Sequence, residues 1–170
     1  MNYAWKTSLP ILMTLTVLFG VVVPEARAQQ RLLPDFEVVA LDGTTISSAE
    51  LAPVGPWFVI YVIPGCRTCE TLLDALARWN DPGVVAAALV VAGDAPEIVD
   101  AWLQERPMEG LEGLRVVADP RGSARRALQV NGLPTVVGID RGTVRWALAG
   151  VLDDPKMVEN VMRQWVMPRP

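Results

Sequence analysis

Both cysteines of this 170-residue chain lie in one hexapeptide, Gly65-Cys66-Arg67-Thr68-Cys69-Glu70. Two sulfurs at this spacing can cycle between dithiol and disulfide, hold half of a metal site, or close a small structural ring. A structural zinc asks for four ligands drawn from cysteine, histidine and carboxylate, mostly as two pairs. The chain has no histidine and no third cysteine, so carboxylates alone would have to complete the site, and a metal is not expected. A ring closed over two intervening residues constrains little chain, because the stabilisation from a cross-link grows with the loop it closes. A redox cycle needs one thiol that ionises readily and a second close enough to resolve the mixed disulfide. The pattern offers both if Cys66 opens a helix, where free backbone N–H groups and the helix dipole favour a thiolate. Cys69 then follows one turn later on more buried ground. Cys66 is read as the attacking sulfur and Cys69 as the resolving one.

The elements around the pair have to supply that helix start. Trp57 to Ile63, "WFVIYVI", is continuously apolar and rich in β-branched and aromatic residues, as a strand buried on both faces must be. Beyond the cysteines, Leu72, Leu73, Leu76 and Trp79 recur at helical spacing until Asn80-Asp81-Pro82-Gly83 stops them. Upstream, "DFEVVALDGTTISSAEL" predicts a hairpin turning at Asp42-Gly43 and a short helical turn from about Ser47 to Leu51. Downstream, "VVAAALVVAG" reads as a second buried strand. A helix follows, opened by Asp94 and Pro96, with Ile98, Val99, Trp102 and Leu103 on one face and Pro107 ending it. "LRVVAD" predicts a short strand and Ser123 the cap of a helix over "ARRALQV". "GLPTVVGID" and "TVRWALAG" are strands joined through Arg141-Gly142 as an antiparallel hairpin. A last helix begins at Asp154-Pro155 and aligns Val158, Val161, Met162, Trp165 and Val166. This alternation predicts an α/β domain, a central mixed sheet with helices on both faces.

The N-terminus sets the redox compartment. Lys6, an apolar run from about Leu9 to Val23, and the triplet Ala26-Arg27-Ala28 read as an export signal over residues 1–28, cleaved after Ala28. An uncleaved membrane anchor is the alternative; Pro10 and the shortness of the run weigh against it. Residues 29–170 then form one domain, of a size to bury a single core. With 51% hydrophobic and 20% charged residues the chain is not a disordered tail. Its formal charge of −4 becomes −5 without Lys6, Arg27 and Glu25, and paired arginines such as Arg125-Arg126 are isolated, so nucleic acid is not expected as a partner.

The chain resembles the thioredoxin superfamily, and within it the secreted TlpA/ResA/DsbE-like thiol–disulfide oxidoreductases. The residues that carry the likeness are the strand–CxxC–helix unit, "GLPT" some 65 residues later, and the strand–helix unit "LRVVADPRGSARRALQV" between them. The resemblance implies a thioredoxin-like fold with an extra strand–helix insertion before the proline strand. It also implies a cis peptide bond at Pro134 facing the cysteines, and a Leu133 backbone that pairs with an incoming substrate segment. The chemistry implied is reduction of disulfides in exported client proteins, with a redox partner that recycles the pair, without cofactor or metal.

Departures from the family pattern limit this. Gly65 stands where many relatives have an aromatic residue, and Ile60 where thioredoxins proper have a buried carboxylate. Glu70 and Asp74 are nearby in sequence but are expected on the solvated side of the helix. Arg67 is expected to favour the Cys66 thiolate, weakly, because exposure screens it. A second functional class stays open, a non-catalytic module that uses the groove beside Pro134 to hold an envelope partner. A third, a peroxidase, fits less well: that pattern puts threonine three residues before the reactive cysteine, and position 63 is Ile.

Overall fold

The computed structural model describes residues 31–51, 53, 55–106, 109–150 and 155–167. Its central strand is the continuously apolar run, here β4 (Trp57–Val62), with every residue buried. The strands are otherwise β1 (Arg31–Leu32), β2 (Glu37–Val39), β3 (Thr45–Ser47), β5 (Ala88–Ala92), β6 (Arg115–Ala118), β7 (Thr135–Asp140) and β8 (Thr143–Ala149). They form one mixed sheet in the order β1-β8-β7-β4-β5-β6-β2-β3. β4, β5 and β6 run parallel, and β7 pairs antiparallel with β4 in a register that sets Tyr61 opposite Thr135. The carboxyl end of β4, where the cysteines follow, therefore lies beside the start of β7, where the Leu-Pro pair precedes.

Helices cover both faces because β4 alternates its side chains between them. Phe58, Ile60 and Val62 join an apolar cluster with Leu72, Leu73 and Leu76 of α2 (Arg67–Trp79). The same cluster takes in α3 (Pro82–Ala87), α4 (Pro96–Gln104) and α6 (Pro155–Val166). Trp57, Val59 and Tyr61 point the other way, to Leu51 of α1 (Ser48–Leu51) and Ala124 of α5 (Ser123–Ala127). The expected α/β architecture, a mixed sheet with helices on both sides, is thus the one formed.

Four expectations differ from the structure. "VVAAALVVAG" is not one strand: Val84 to Ala87 belong to α3, and only Ala88–Ala92 are extended. Asp81 Oδ1 accepts from the N–H groups of Gly83 and Val84, and Pro82 occupies the first helical position, so the residues read as a stop also start a new helix. Ser123 does not cap α5. Gly122 at φ 63° takes the cap position, Asp119 Oδ2 accepts from Arg125 N instead, and the Ser123 hydroxyl accepts from Glu37 N across to β2. The helix also ends early, at Ala127, in a Schellman turn: Gln129 has φ 58° and Val130 N donates to Arg125 O. Finally, Ile98 is exposed while Val99 and Trp102 are buried, so the apolar stripe of α4 is narrower than its periodicity suggests. The predicted signal segment, Pro107 and Asp154 lie outside the described residues.

Candidate active site

A tight turn delivers the first cysteine. Cys66 N donates to Ile63 O at 3.2 Å, closing a four-residue turn with Pro64 second and Gly65 third at φ 74°. Proline at the second position and a positive φ at the third are the demands of a type II turn. An aromatic side chain at position 65 would sit in the left-handed region, which accounts for glycine there. Cys66 is then the N-cap of α2, and its Sγ accepts from Cys69 N at 3.3 Å, so the sulfur has a backbone donor from the first turn aimed at it. Cys66 is half-buried and Cys69 wholly buried, and the two are joined as a disulfide. The relation expected from spacing, an accessible sulfur at the cap and a buried one a turn later, is present.

The Leu-Pro segment faces this turn. The Leu133–Pro134 peptide bond is cis. Its loop is held closely: Thr135 Oγ1 donates to Gly132 O at 2.6 Å, and Gly150 N donates to Pro134 O at 3.0 Å. A Cβ on Gly132 would approach the Gly150 backbone to 3.1 Å, so the close pass of the two segments depends on glycine. One side chain joins loop and cysteines. Thr68 Oγ1 is 3.3 Å from Cys66 Sγ and donates to Leu133 O at 3.4 Å. Nothing in the local sequence marks Thr68; only a fold that brings positions 68 and 133 together gives it a task.

The charged neighbours are placed away from the sulfurs. Ile60, the residue expected to replace a buried carboxylate, lies in the same apolar cluster as Cys69. Glu70 and Asp74 turn outward to Arg106, which meets Asp74 at 2.5 Å and Glu70 at 3.9 Å while its guanidinium lies 5.2 Å over the Trp102 ring. Arg67 is exposed. A buried carboxylate does exist at the carboxyl end of the sheet, on the opposite face. Asp119 is 2% exposed and accepts from Tyr61 OH at 3.1 Å, while its Oδ1 has no hydrogen-bond partner among the described residues. Burial and the Asp119 charge push the Tyr61 phenol far above its ordinary range. Among the described residues no group of three or more His, Cys, Asp or Glu is placed to hold a metal ion.

Comparison with known proteins decides the family: residues 30–147 match the AhpC/TSA family. The chain belongs to that family. Its fold is shared with solved structures at low identity. One is a Chlorobium tepidum protein assigned as the thiol:disulfide interchange protein DsbE, at TM-score 0.66 and 20% identity, covering 81% of this chain and 97% of that one. Another is a secreted disulfide oxidoreductase of Mycobacterium tuberculosis homologous to DsbE, at 0.58 and 16%, covering 76% and 95%. The exposed lipoprotein thioredoxin of Streptococcus pneumoniae aligns at 0.59 and 17%, covering 76% and 98%. No curated protein sequence matches significantly. The resemblance to the thioredoxin superfamily is thereby borne out in the fold, and this AhpC/TSA chain carries its CxxC pair at the head of α2.

Proposed function

We propose that the protein works outside the cytoplasm as a reductase of disulfides in exported client proteins, with Cys66 attacking and Cys69 resolving. The observation that carries this reading is the position of the Cys66 sulfur: it caps α2, accepts the Cys69 N–H, and lies one hydroxyl away from the Leu133 carbonyl. In the cycle, the Cys66 thiolate attacks one sulfur of a client disulfide, forming a mixed disulfide and expelling the first client thiolate. The Cys69 thiol loses its proton and attacks Cys66, which expels the second client thiolate and closes the Cys66–Cys69 bond. Two electrons and two protons pass to the client, and a dithiol partner returns them to the pair. Leu133 and Pro134 form the edge against which the client segment lies, the Leu133 backbone supplying hydrogen bonds to it. Residues 1–28, outside the described residues, would carry the chain across the membrane before cleavage.

The test is trapping. Cys69→Ser is expected to accumulate client proteins as mixed disulfides on Cys66, and Cys66→Ser is expected to trap none. Full complementation of a deletion by the double serine variant would show a binding module in place of an enzyme. Consumption of hydroperoxide by reduced protein, at a rate above its reduction of protein disulfides, would restore the peroxidase reading.

A further inference from the structure

Thr68 has one hydroxyl proton and two acceptors within reach, Cys66 Sγ at 3.3 Å and Leu133 O at 3.4 Å. Which of them receives the proton depends on the charge of the sulfur. In the disulfide, Cys66 sulfur is a neutral, weak acceptor, and the backbone carbonyl is the stronger one. The hydroxyl then points to Leu133. When the pair is reduced and Cys66 ionises, the sulfur carries a full negative charge, and a hydrogen bond to a charged acceptor is roughly twice as strong as a neutral one. The proton turns toward the sulfur. The Thr68 oxygen is within hydrogen-bond reach of both acceptors, so rotation of its hydroxyl is enough to change partner.

We propose that Thr68 is a two-position donor that couples the redox state of Cys66 to the Leu133 carbonyl, occupying that carbonyl in the disulfide form and releasing it in the reduced form. Its use for client binding rests on the reading of Leu133 given above. The coupling favours the direction of the cycle. A reduced enzyme offers a free carbonyl to a client backbone N–H; after electron transfer the Thr68 hydroxyl returns to that carbonyl and competes with the client for it. Linkage makes the effect reciprocal. A client N–H on Leu133 O leaves the Thr68 proton for Cys66, so docking itself promotes the thiolate that attacks.

The experiment compares wild type, Thr68→Val, which keeps the branched shape and loses the hydroxyl, and Thr68→Ser, which keeps the hydroxyl. Three quantities are read on the whole mature protein. The first is the pH midpoint of Cys66 alkylation by iodoacetamide, Cys69 being buried. The second is the equilibrium with dithiothreitol, and the third is the carbonyl carbon-13 resonance of Leu133 in oxidised and reduced protein. Thr68→Val is expected to raise the alkylation midpoint by about one unit and to make the disulfide about tenfold harder to reduce, which is about 30 mV. Its Leu133 resonance should be the same in both redox states. Wild type and Thr68→Ser should both move that resonance on reduction. A Thr68→Val protein that alkylates and equilibrates as wild type overturns the proposal. So does a changed midpoint with a Leu133 resonance that still responds to reduction as in wild type, since the coupling is then absent. Failure of the functional reading looks different: all three Thr68 effects would appear in a protein that reduces no protein disulfide and traps no client.

Discussion

If the fold holds Cys66 as a thiolate, reduction should cost the protein little stability at alkaline pH and more in acid. The disulfide closes a loop of four residues, and chain closure of that length is worth about 2 kcal/mol in favour of the oxidised fold. Against this, the reduced fold offers the Cys66 sulfur the Cys69 N–H and the Thr68 hydroxyl, each 3.3 Å away. Hydrogen bonds to a charged group contribute about 1.5–3 kcal/mol each before the cost of desolvating the half-buried sulfur is deducted. Their sum is a net preference for the thiolate of about 2–3 kcal/mol, enough to offset the closure contribution. The sign follows from linkage. A thiol whose folded value lies below the ordinary value of about 8.5 contributes stability that is fully present above that value and is lost as pH falls through the folded one.

Urea denaturation of the oxidised protein and of the protein kept reduced should therefore show a gap that depends on pH. Near pH 5 the oxidised form should be more stable by about 2 kcal/mol, the loop-closure contribution alone. Near pH 9 the two should be equal within about 1 kcal/mol, or the order reversed. A gap of about 2 kcal/mol that does not change between those limits would refute the reasoning, because it would mean that the fold does nothing for the ionised sulfur. A gap that widens toward alkaline pH would be worse still, for it would place the thiolate in an environment hostile to charge.

Other perturbations test the frame around the site. Tyr61→Phe leaves Asp119 with the Arg125 N–H as its donor among the described residues, and should cost about 1–2 kcal/mol in urea denaturation near neutral pH. Because the Tyr61 phenol is raised in the fold, the wild-type contribution is present below the ordinary value of about 10 and is lost as pH rises beyond it. The variant should lack that alkaline decline. Asp81→Ala removes the cap of α3 and the 2.7 Å partner of Arg163, and should lower the urea midpoint by an amount equivalent to about 1–2 kcal/mol. Gly65→Ala forces a Cβ into φ 74° although nothing lies within 4 Å of it, so a loss of about 1–2 kcal/mol with an unobstructed cleft would identify backbone strain as the reason for glycine.

How far the sequence leads can be argued residue by residue. Local rules served where one segment carries its own signal. The apolar run of β4, the Pro-Gly turn and the helical spacing of Leu72, Leu73 and Leu76 together place Cys66 at a helix start without any knowledge of partners. The same rules misled at Asp81-Pro82, where an aspartate before a proline is an opening signal as much as a breaker. Six apolar residues in "VVAAAL" do not distinguish a buried helix from a buried strand. The decision came from the cap: the Asp81 carboxylate takes two N–H groups that a strand would have turned elsewhere.

The relations that make a site of these residues are of another kind. Thr68 meets Leu133 across 65 positions, and Tyr61 meets Asp119 across 58. Neither pair has a local pattern, since a threonine inside a CxxC and an aspartate before a proline are ordinary in themselves. Ser123 shows the same thing in reverse: its type suits a cap, but Glu37 N is its partner because β2 is packed beside α5. Sequence can therefore nominate the sulfurs, whose chemistry is intrinsic. It cannot nominate the hydroxyl between them and the loop, whose chemistry exists only because β4 and β7 are antiparallel neighbours in the register that sets Tyr61 opposite Thr135. Two residues of slip in that register would carry Leu133 roughly 6–7 Å along the strand, out of reach of Thr68. The pairing of those two strands is thus part of the active site, although neither contributes a reacting atom.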